Sequence, residues 1–276
     1  MKTWLITGCS SGLGRGIAMA ALKRGEKVAV TARDVKKLRE FTKKYPKQVL
    51  TLKLDLQDKK SMEQAVWDTY ECFGNIDVLV NNAGHGYRAA VEESEPEKIR
   101  ELFETNFFAP AELIQMVLPF MRSKKSGFIV NVTSIGAVRE ALGNGYYSAA
   151  KGAMELLTEA LEKETAHLGI RTMLVEPGAF RTHFYDDSLR QADTKISDYD
   201  VIADWYRKDC MESRHDQPGD PEKGGEIIVD TVLGDNPPLR LLLGSDAVKA
   251  AEEVLKQRWE EVENWKHVSQ KSDYDV

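Results

Sequence analysis

The chain has 276 residues, of which 42% are hydrophobic and 30% are charged, a composition typical of a globular protein that buries a sizeable core without disulfides. Its net charge of −6 argues against a nucleic-acid or anionic-membrane partner. The three cysteines, Cys9, Cys72 and Cys210, follow no disulfide or metal spacing, and no apolar run is long enough to span a bilayer. Since the N-terminus also has no signal-peptide pattern, we expect a cytoplasmic protein without a bound metal.

The first elements of the chain predict a phosphate-binding turn. The apolar strand Trp4–Ile6 precedes a helical pattern around Ile17–Leu22, and Gly8, Gly12 and Gly14 lie between them. Glycines permit a tight turn in which backbone N–H groups and the helix N-terminus face a pyrophosphate. The spacing Gly-x-x-x-Gly-x-Gly differs from the standard dinucleotide fingerprint, and such turns also serve packing alone. The strand before and the helix after favour a nucleotide.

The second strand, Lys27–Thr31, ends where dinucleotide-binding folds contact the adenosine ribose. Arg33 follows this strand and would pair with a 2′-phosphate, because a guanidinium matches phosphate oxygens. Asp34, about twenty residues beyond the glycines, would instead accept a hydrogen bond from a free 2′-hydroxyl. We place Arg33 at the ribose and interpret Asp34 as the cap of the next helix, which runs to about Tyr45. This interpretation favours NADP over NAD.

The third and fourth strands, Val49–Leu54 and Ile76–Val80, are joined by a predicted helix, Lys59–Phe73. Asp55 follows the third strand, where it would accept a hydrogen bond from the adenine amino group or merely close a turn, and its local sequence leaves both interpretations open. The fourth strand leads into residues 81–84, Asn-Asn-Ala-Gly, whose small and amide side chains suit a backbone that passes close to a ligand.

A long helical region follows the fourth strand. Ser94 and Glu97 form a capping-box pattern, which predicts the start of this helix. The apolar pattern then extends to Leu118, and Pro119 predicts a break or kink. Asn106 lies inside the helix, and the local sequence assigns it no role.

The fifth strand, Gly127–Ser134, precedes the stretch that carries the chemistry. Tyr147 and Lys151, one turn apart in a helix that runs to about His167, would share a helix face. The lysine charge would favour the phenolate and lower the tyrosine pKa from its ordinary value of about 10, as a proton-transfer pair requires. Because a tyrosine four residues before a lysine is common by chance, the pair alone is weak evidence for a catalytic site. Its interpretation depends on the other motifs of the chain.

Two further strands, Ile170–Val175 and Arg240–Leu243, complete an alternation of strands with helices. This alternation predicts an α/β fold, a doubly wound parallel sheet of seven strands with helices on both faces, in one domain that spans residues 1–276. The irregular stretch 180–219 follows the C-terminal end of the sixth strand on the ligand side. It is a candidate substrate lid, and the other interpretation is a solvated connection.

Aromatic side chains occur in the candidate lid and near the end of the chain. The lid residues that could line an apolar pocket are Phe180, Phe184, Tyr185, Trp205 and Tyr206. The residues that could add polarity near the pocket mouth are His85, Tyr87, Arg139 and His183. Segment 246–276 has the pattern of a charged helix with a tail and contains Trp259 and Trp265. We expect these tryptophans to pack on their own domain rather than on a partner subunit.

Together, these motifs resemble the short-chain dehydrogenase/reductase family over nearly the whole chain, and the set is far more specific than any one motif. The motifs that carry the resemblance are Thr7-Gly8-x-x-x-Gly12-x-Gly14, Asn81-Asn82-Ala83-Gly84, Ser134, Tyr147-x-x-x-Lys151, and Pro177-Gly178 through Thr182. The resemblance implies a Rossmann fold and a role for each matching position. The implied catalytic residues are Asn106, which would hold a proton-relay water, Ser134, Tyr147 and Lys151. The implied cofactor-binding residues are Gly8, Ser10, Ser11, Gly12, Leu13, Gly14, Arg33, Asp55, Leu56, Asn82, Ala83, Gly84, Tyr147, Lys151, Pro177, Gly178 and Thr182.

The resemblance implies an NADP(H)-dependent oxidoreductase that interconverts a carbonyl and a secondary alcohol, with Tyr147 as acid/base. The alternatives are an NAD-dependent alcohol dehydrogenase of the same fold and a non-catalytic NADP-binding sensor. For a sugar-nucleotide reductase or epimerase the chain after Thr182 is too short. A steroid, a retinoid, an aromatic ketone or an aliphatic carbonyl would each suit an apolar lid. The family also suggests a homodimer or homotetramer that pairs through the Asn106 and Tyr147 helices.

Overall fold

The computed structural model describes residues 1–186, 188–202 and 216–274 of the chain. Trp205, Tyr206 and Cys210 lie outside the described residues, as does the side chain of Tyr185. The described parts of the candidate lid are therefore 180–186, 188–202 and 216–219.

The strands form one large parallel sheet and one small ribbon. In chain order they are β1 (Thr3–Ile6), β2 (Lys27–Ala32), β3 (Val49–Lys53), β4 (Val78–Asn81), β5 (Gly86–Arg88), β6 (Gly127–Val132), β7 (Ile170–Pro177), β8 (Leu189–Gln191) and β9 (Arg240–Leu243). The large sheet has the order β3-β2-β1-β4-β6-β7-β9, and all of its pairs are parallel. The predicted seven-stranded parallel sheet is confirmed. The ribbon of β5 and β8 was not predicted.

Helices cover both faces of the sheet. They are α1 (Gly12–Lys23), α2 (Arg39–Lys44), α3 (Lys59–Phe73), α4 (Pro96–Phe103), α5 (Ala109–Lys124), α6 (Ile135–Val138), α7 (Gly145–Thr165), α8 (Pro221–Leu233) and α9 (Ser245–Ser269). Short 3₁₀ turns span Val35–Leu38, Ala166–Leu168, His183–Tyr185, Ser197–Tyr199 and Gln270–Ser272, and a π-helical turn spans Glu104–Phe108.

Side chains that alternate along the strands divide the core into two layers. Trp4 and Ile6 of β1 pack in a cluster with Ile17 of α1. Leu5 points to the opposite face and packs in a cluster with Leu113 of α5. Because successive side chains of a strand point to opposite faces, β1, whose last three residues are apolar, is buried on both sides.

The strand order reverses beside β1, which pairs with β2 on one side and β4 on the other. In open parallel sheets the ligand crevice lies at such a reversal, outside the carboxyl ends of the strands. The turn that contains Gly8 follows β1, and the segment that contains Asn82 follows β4. Both are therefore placed at the expected crevice.

Helices α1 and α8 pack with their backbones in contact. A Cβ atom on Gly225 would lie 2.2 Å from the carbonyl carbon of Gly16, and a Cβ atom on Gly16 would lie 2.1 Å from the carbonyl oxygen of Pro221. Neither position has room for a side chain. This contact fixes the first turns of α1, which follow the glycine-rich turn, against α8.

The predicted capping box at Ser94 is wrong. Helix α4 begins at Pro96, with Glu95 as the residue before it. The Ser94 hydroxyl donates to the carbonyl oxygen of Ala90 at 3.0 Å, so it serves the preceding turn and not the helix. The Glu95 carboxylate accepts a hydrogen bond from the Tyr87 hydroxyl at 2.7 Å.

Of the predicted break or kink near Pro119, the break is wrong, and the kink stays a prediction. Helix α5 runs from Ala109 to Lys124 and includes Pro119. The irregular part of this region is the π-helical turn Glu104–Phe108, at whose centre Asn106 is buried. A proline disturbs a helix without necessarily ending it, so its presence did not locate the real irregularity.

The expectation that Trp259 and Trp265 pack on their own domain is wrong as well. Their exposed fractions are 65% and 63%. Helix α9 buries Ala247, Ala250 and Val254 in its first turns, and beyond Val254 its side chains are exposed. The helix extends past the edge of the domain, which its charge and apolar pattern could not reveal.

Gly225→Ala should destabilise the protein by roughly 2 kcal/mol or more, because the added methyl group overlaps the α1 backbone, which cannot move aside. The matched control is Gly152→Ala in α7, where a Cβ atom would have no heavy atom within 4 Å. That variant should be neutral or stabilising by up to about 1 kcal/mol, since alanine favours a helix over glycine. Urea unfolding measures both. Equal effects of the two substitutions would contradict the packing described for α1 and α8.

Candidate active site

The glycine-rich turn after β1 has a backbone that only glycine adopts easily. Gly8 and Gly12 have positive φ angles of 74° and 57°. A Cβ atom on Gly14 would lie 2.3 Å from the Asn82 side-chain nitrogen and 2.4 Å from the Gly8 carbonyl oxygen. Helix α1 begins at Gly12, so its first N–H groups face the turn. This is the geometry of a phosphate-binding cradle.

Hydrogen bonds join this turn to the segment after β4. The Asn82 side-chain nitrogen donates to the carbonyl oxygens of Thr7 at 2.9 Å and Gly8 at 3.2 Å. The Thr7 hydroxyl accepts from the backbone N–H groups of Asn82 at 2.9 Å and Ala83 at 3.0 Å. Thr7 was not predicted as a site residue, although its place directly before the first glycine was a usable signal.

At the predicted adenosine side, Arg33 is exposed and lines the cleft described below. The Asp34 carboxylate accepts a hydrogen bond from the backbone N–H of Lys36 at 2.9 Å. It therefore caps the 3₁₀ turn that follows, as predicted. Of the two roles that the sequence left open for Asp55, the structure shows the closure of a turn, and contact with an adenine stays a prediction. Asp55 lines the cleft and also closes a turn by accepting from the Gln57 backbone N–H at 3.1 Å.

Tyr147 and Lys151 lie one turn apart on α7, near its N-terminus, and both are buried. The lysine nitrogen lies 6.0 Å from the centroid of the tyrosine ring. It donates to the Val132 carbonyl oxygen at 2.9 Å, which leaves two ammonium protons for other partners. Burial lowers the Lys151 pKa to about 8, although the nearby Glu155 carboxylate acts in the opposite direction. A lysine with this pKa changes its charge close to neutral pH.

Ser134 follows the carboxyl end of β6 by two residues and is the cap of the short helix α6. Its hydroxyl oxygen accepts from the backbone N–H of Gly136 at 3.0 Å. The hydroxyl proton therefore remains free to be donated. A Cβ atom on Gly136 would lie 3.5 Å from the Tyr147 ring and 3.3 Å from the Ser134 oxygen, so both side chains border the same space.

Asn106 is held in the π-helical turn by both ends of its side-chain amide. Its oxygen accepts from the His85 backbone N–H at 3.1 Å, and its nitrogen donates to the His85 carbonyl oxygen at 2.8 Å. A Cβ atom on Gly84 would lie 2.6 Å from the Asn106 oxygen and 3.5 Å from the Lys151 nitrogen. Gly84 therefore lies between the Asn106 and Lys151 side chains. Because it has no Cβ atom, these two side chains can approach each other closely.

A cleft of about 450 Å³ brings the predicted site residues together. Asn106 is the exception, since it is buried behind the wall, whereas its neighbour Thr105 lines the cleft. The predicted residues that line the cleft are Gly8, Ser10, Ser11, Gly12, Leu13, Gly14, Arg33, Asp55, Leu56, Asn82, Ala83, Gly84, Ser134, Tyr147, Lys151, Pro177, Gly178 and Thr182. One continuous space therefore extends from the glycine-rich turn to the tyrosine.

The segment after β7 closes one end of this cleft and is held by a residue that sequence reasoning missed. The Asp246 carboxylate, in the first turn of α9, accepts from the Ala179 backbone N–H at 2.7 Å. A Cβ atom on Gly178 would lie 2.3 Å from the same carboxylate. Nearby, a Cβ atom on Gly12 would lie 3.1 Å from the Thr182 side chain, so this segment also covers the glycine-rich turn.

Two buried carboxylates lie beneath the lysine and were also missed. Glu155 follows Lys151 by one turn and accepts from the Thr133 hydroxyl at 3.1 Å. Burial and the Glu176 carboxylate raise the Glu155 pKa to about 7. Burial also raises the Glu176 pKa, while the Arg240 guanidinium, 3.4 Å away, opposes this rise. The local sequence gave one signal of these carboxylates, which is that Glu155 follows Lys151 by four residues.

The described part of the candidate lid is held by acidic residues that precede α4. Glu95 accepts from the backbone N–H groups of Asp193 at 2.8 Å and Thr194 at 2.9 Å. Glu93 accepts from the Ile196 backbone N–H at 2.9 Å. The ribbon of β5 and β8 adds backbone pairing between the same two regions. This part of the chain is therefore bonded to the wall of the cleft.

The tyrosine end of the cleft combines apolar and polar groups. The Phe184 ring lies 6.1 Å from the Tyr147 ring, and Leu189 lines the same region. The polar side chains that line it are His85, Arg88, Arg139, His183 and Arg190. Burial lowers the His85 pKa. Tyr87, which was expected near the mouth, is buried behind the wall and bonded to Glu95.

Residues 1–186, 188–202 and 216–274 contain no group of three or more His, Cys, Asp or Glu side chains that could hold a metal ion. In the same part of the chain, the helices are all too short or too polar to cross a bilayer.

The buried Glu155 should make the free energy of unfolding depend on pH. Because folding raises its pKa from 4.5 to about 7, its contribution is most favourable below pH 4.5 and is lost as the pH rises through about 7. Glu155→Gln should therefore gain stability relative to wild type between pH 5 and pH 8, by about 1–3 kcal/mol. Glu164→Gln, an exposed position on the same helix, is the control. Parallel curves for wild type and Glu155→Gln in urea unfolding would contradict this account.

The sequence matches a family of known proteins over most of its length. The family described as short chain dehydrogenase matches residues 2–193. Oxidoreductase BOA17 of Botryotinia fuckeliana is 35% identical over 97% of this chain and 98% of its own. A 3-ketodihydrosphingosine reductase of Bacteroides thetaiotaomicron is 35% identical over 87% of each chain.

Solved structures resemble the fold. A short-chain dehydrogenase from Streptomyces avermitilis has a TM-score of 0.91 and 37% identity, with coverage of 99% of this chain and 98% of that one. An alcohol dehydrogenase from the archaeon Thermococcus sibiricus, complexed with 5-hydroxy-NADP, has a TM-score of 0.72 and 26% identity over 88% and 96% of the two chains.

Proposed function

Because the chain belongs to the short-chain dehydrogenase family, we propose that it is an NADP(H)-dependent oxidoreductase that interconverts a ketone or aldehyde and the corresponding alcohol. The observation that carries this proposal is the convergence of Ser134, Tyr147 and Lys151 on one cleft that also contains the glycine-rich turn. Membership of the family makes the protein an oxidoreductase with a nicotinamide cofactor. The choice of NADP, the acid/base and the substrate class are the parts that we propose.

The residues around the cleft fit a dinucleotide. The glycine-rich turn has no room for a side chain at Gly14, Gly8 has a positive φ of 74°, and the turn presents the N-terminus of α1, so it would hold the pyrophosphate. Asp55 and Leu56 would border the adenine, and Arg33 would pair with a 2′-phosphate. At the other end, the segment that contains Gly178 would bound the nicotinamide.

The chemistry of the side chains supports reduction of a carbonyl at the tyrosine end. The bound nicotinamide supplies or accepts the hydride. The Ser134 hydroxyl, whose proton is free, would donate to the carbonyl oxygen as negative charge develops there. Tyr147 would protonate that oxygen in reduction and deprotonate the alcohol in oxidation, and the Lys151 ammonium would stabilise its phenolate form. Lys151 has protons left for a ribose hydroxyl, because only one is used on Val132.

Asn106 would act through its backbone. Both ends of its side-chain amide are used on His85. A π-helical turn interrupts the regular pattern of backbone hydrogen bonds, so a main-chain carbonyl there can accept from a water molecule. This water would connect Lys151 with solvent, which is the proton-relay role that the resemblance implies for Asn106.

The substrate that fits best is an apolar carbonyl compound. Phe184 and Leu189 border the tyrosine end of the cleft, and a 3-ketodihydrosphingosine reductase is among the relatives. An apolar body would contact these side chains, while the carbonyl would lie between Ser134 and Tyr147. Steroids, retinoids, aromatic ketones and aliphatic carbonyls all meet this description.

Tyr147→Phe should abolish nearly all carbonyl reduction, by roughly a thousandfold, because it removes the proton donor but keeps the ring. NADPH binding should persist, since the glycine-rich turn is unchanged. Steady-state turnover and NADPH titration measure the two effects, and the adjacent Tyr146→Phe is the matched control. Turnover of the Tyr147 variant within about tenfold of wild type would refute the acid/base assignment. Tight NADPH binding without turnover of any carbonyl or alcohol by wild type would favour the non-catalytic sensor.

The cofactor preference can be measured by tryptophan fluorescence, since the chain has five tryptophans. NADPH should bind roughly tenfold or more tightly than NADH, and Arg33→Ala should remove this preference, because the guanidinium that faces the 2′-phosphate is lost. Arg39→Ala, a nearby exposed arginine, should leave the preference unchanged. If NADH binds wild type as well as NADPH does, Arg33 is a surface residue and the protein is an NAD-dependent dehydrogenase.

A further inference from the structure

Strand β5 carries an arginine that faces the tyrosine end of the cleft. Successive side chains of a strand point to opposite sides, so Gly86 and Arg88 share one side of β5 and Tyr87 lies on the other. A Cβ atom on Gly86 would lie 2.6 Å from the Leu189 side chain and 2.8 Å from the Phe184 ring. Arg88 therefore lies on the side of these two apolar groups, and it lines the cleft itself.

Backbone hydrogen bonds hold this arginine between the candidate lid and the start of α7. The Ala192 backbone N–H donates to the Arg88 carbonyl oxygen at 3.1 Å. On the other side, the Ala89 backbone N–H donates to the Gly143 carbonyl oxygen at 2.9 Å, just before α7 begins. Ala89 also packs in one cluster with Tyr147. The position of Arg88 beside the tyrosine is therefore fixed from both directions.

The cleft has an excess of basic side chains, although the chain has a net charge of −6. Among the described residues that line it, the lysine and arginines are Arg33, Arg88, Arg139, Lys151 and Arg190. The acidic residues of the same lining are Asp55, at the predicted adenosine end, and Asp246, which accepts from the Ala179 backbone N–H. Neither carboxylate forms an ion pair with a described residue, so neither neutralises an arginine of the cleft.

Arg88 differs from the other basic residues of the cleft in having neither a partner nor full solvation. The proposed function uses two of them, at the 2′-phosphate and beside the tyrosine. The Arg190 guanidinium pairs with the Glu101 carboxylate at 2.6 Å, and Arg139 is exposed to water. Arg88 is half-buried with a buried Nε atom, and no described residue bonds to its guanidinium. A charge that loses water without gaining a partner is costly, so this position favours an anionic ligand.

We propose that Arg88 binds a carboxylate of the substrate, which makes the substrate an apolar oxo acid, such as an oxo fatty acid. The planar fork of a guanidinium matches the two oxygens of a carboxylate. The apolar chain would contact Phe184 and Leu189. The ketone would lie between Ser134 and Tyr147. The position of the ketone rests on the proposed function, whereas the carboxylate site does not.

Other ligand groups fit Arg88 less well. An amine would be repelled by the guanidinium, and a neutral alcohol would leave its charge uncompensated. A phosphate monoester carries up to about two negative charges, whereas one unpaired and half-buried guanidinium faces this space. The phosphates of the cofactor have the glycine-rich turn and Arg33 at the opposite end of the cleft.

The first test measures ligand binding without turnover. The probes are dodecanoate, dodecanol and dodecylamine, which share one apolar chain. Each is titrated calorimetrically into the full chain below its micelle concentration, with and without NADPH. Dodecanoate should bind most tightly, and Arg88→Gln should weaken its binding roughly ten- to a hundredfold, because charge-assisted hydrogen bonds are lost. Arg100→Gln, at an exposed arginine of α4 outside the cleft lining, is the matched control and should have no effect.

The order of the three probes on wild type is informative without any variant. Tighter binding of dodecanol or dodecylamine than of dodecanoate would overturn the proposal, and so would equal binding of dodecanoate by wild type and Arg88→Gln. Loss of NADPH affinity in Arg88→Gln would assign the arginine to the cofactor instead. Tighter binding of dodecyl phosphate than of dodecanoate would overturn the carboxylate. Arg88→Lys should recover part of the dodecanoate affinity, since it keeps the charge but not the fork.

The second test distinguishes this inference from the proposed function. The substrates are oxo fatty acids of several chain lengths and their methyl esters, reduced with NADPH. Wild type should have a lower KM for the acids, and Arg88→Gln should raise this KM to that of the esters, because binding energy is lost equally in the ground and transition states. Equal reduction of acids and esters by wild type would overturn the carboxylate site and leave the proposed function standing. No reduction of either, with dodecanoate binding that depends on Arg88, would overturn the proposed function and leave the carboxylate site standing.

Discussion

The structure depends on the contact between the turn after β1 and the segment after β4. Here the Asn82 amide donates to the carbonyl oxygens of Thr7 and Gly8, and the Thr7 hydroxyl accepts from two backbone N–H groups in return. The contact is possible because Gly14 has no Cβ atom, which would lie 2.3 Å from the Asn82 nitrogen. The proposed phosphate cradle and the central part of the cleft are thus held in one orientation by partly buried hydrogen bonds between side chains and backbone, and leaving one of these groups unpaired would be costly.

A second constraint is the burial of Lys151, which determines the electrostatics of the tyrosine end. An ammonium group in this position loses water, and the Val132 carbonyl oxygen replaces only part of that solvation. The Glu155 and Glu176 carboxylates below it are themselves buried and hold raised pKa values. Burial therefore brings the titration of an amine and of a carboxyl group towards neutral pH from opposite sides. Proton transfer is most efficient when the groups involved titrate near working pH, and the acid/base chemistry that we propose at Tyr147 would use this property of Lys151.

The sequence predicted the sheet well because its signals are local. Apolar strands such as Trp4–Ile6 alternate with helices, and the glycines after the first strand mark where the crevice must lie. Asp34 was assigned as a cap from its position alone, and it does accept from the Lys36 backbone. The capping box at Ser94 was wrong because the Ser94 hydroxyl donates to the Ala90 carbonyl oxygen in the preceding turn, which a capping pattern does not show. Glu155 and Asp246 were missed because their roles come from residues distant in the chain, Thr133 and Ala179 respectively.

Helix α9 shows a further limit of prediction from sequence. The apolar pattern of this helix was visible in the sequence. Such a pattern predicts that another surface packs on the apolar face, but it does not show whether that surface belongs to the same domain. The fold answers this, since the domain ends while the helix continues, and Trp259 is left with an exposed fraction of 65%. The buried residues Ala247, Ala250 and Val254 and the exposed Trp259 belong to one continuous helical pattern. Periodicity alone therefore could not show where along the helix the packing on the domain ends.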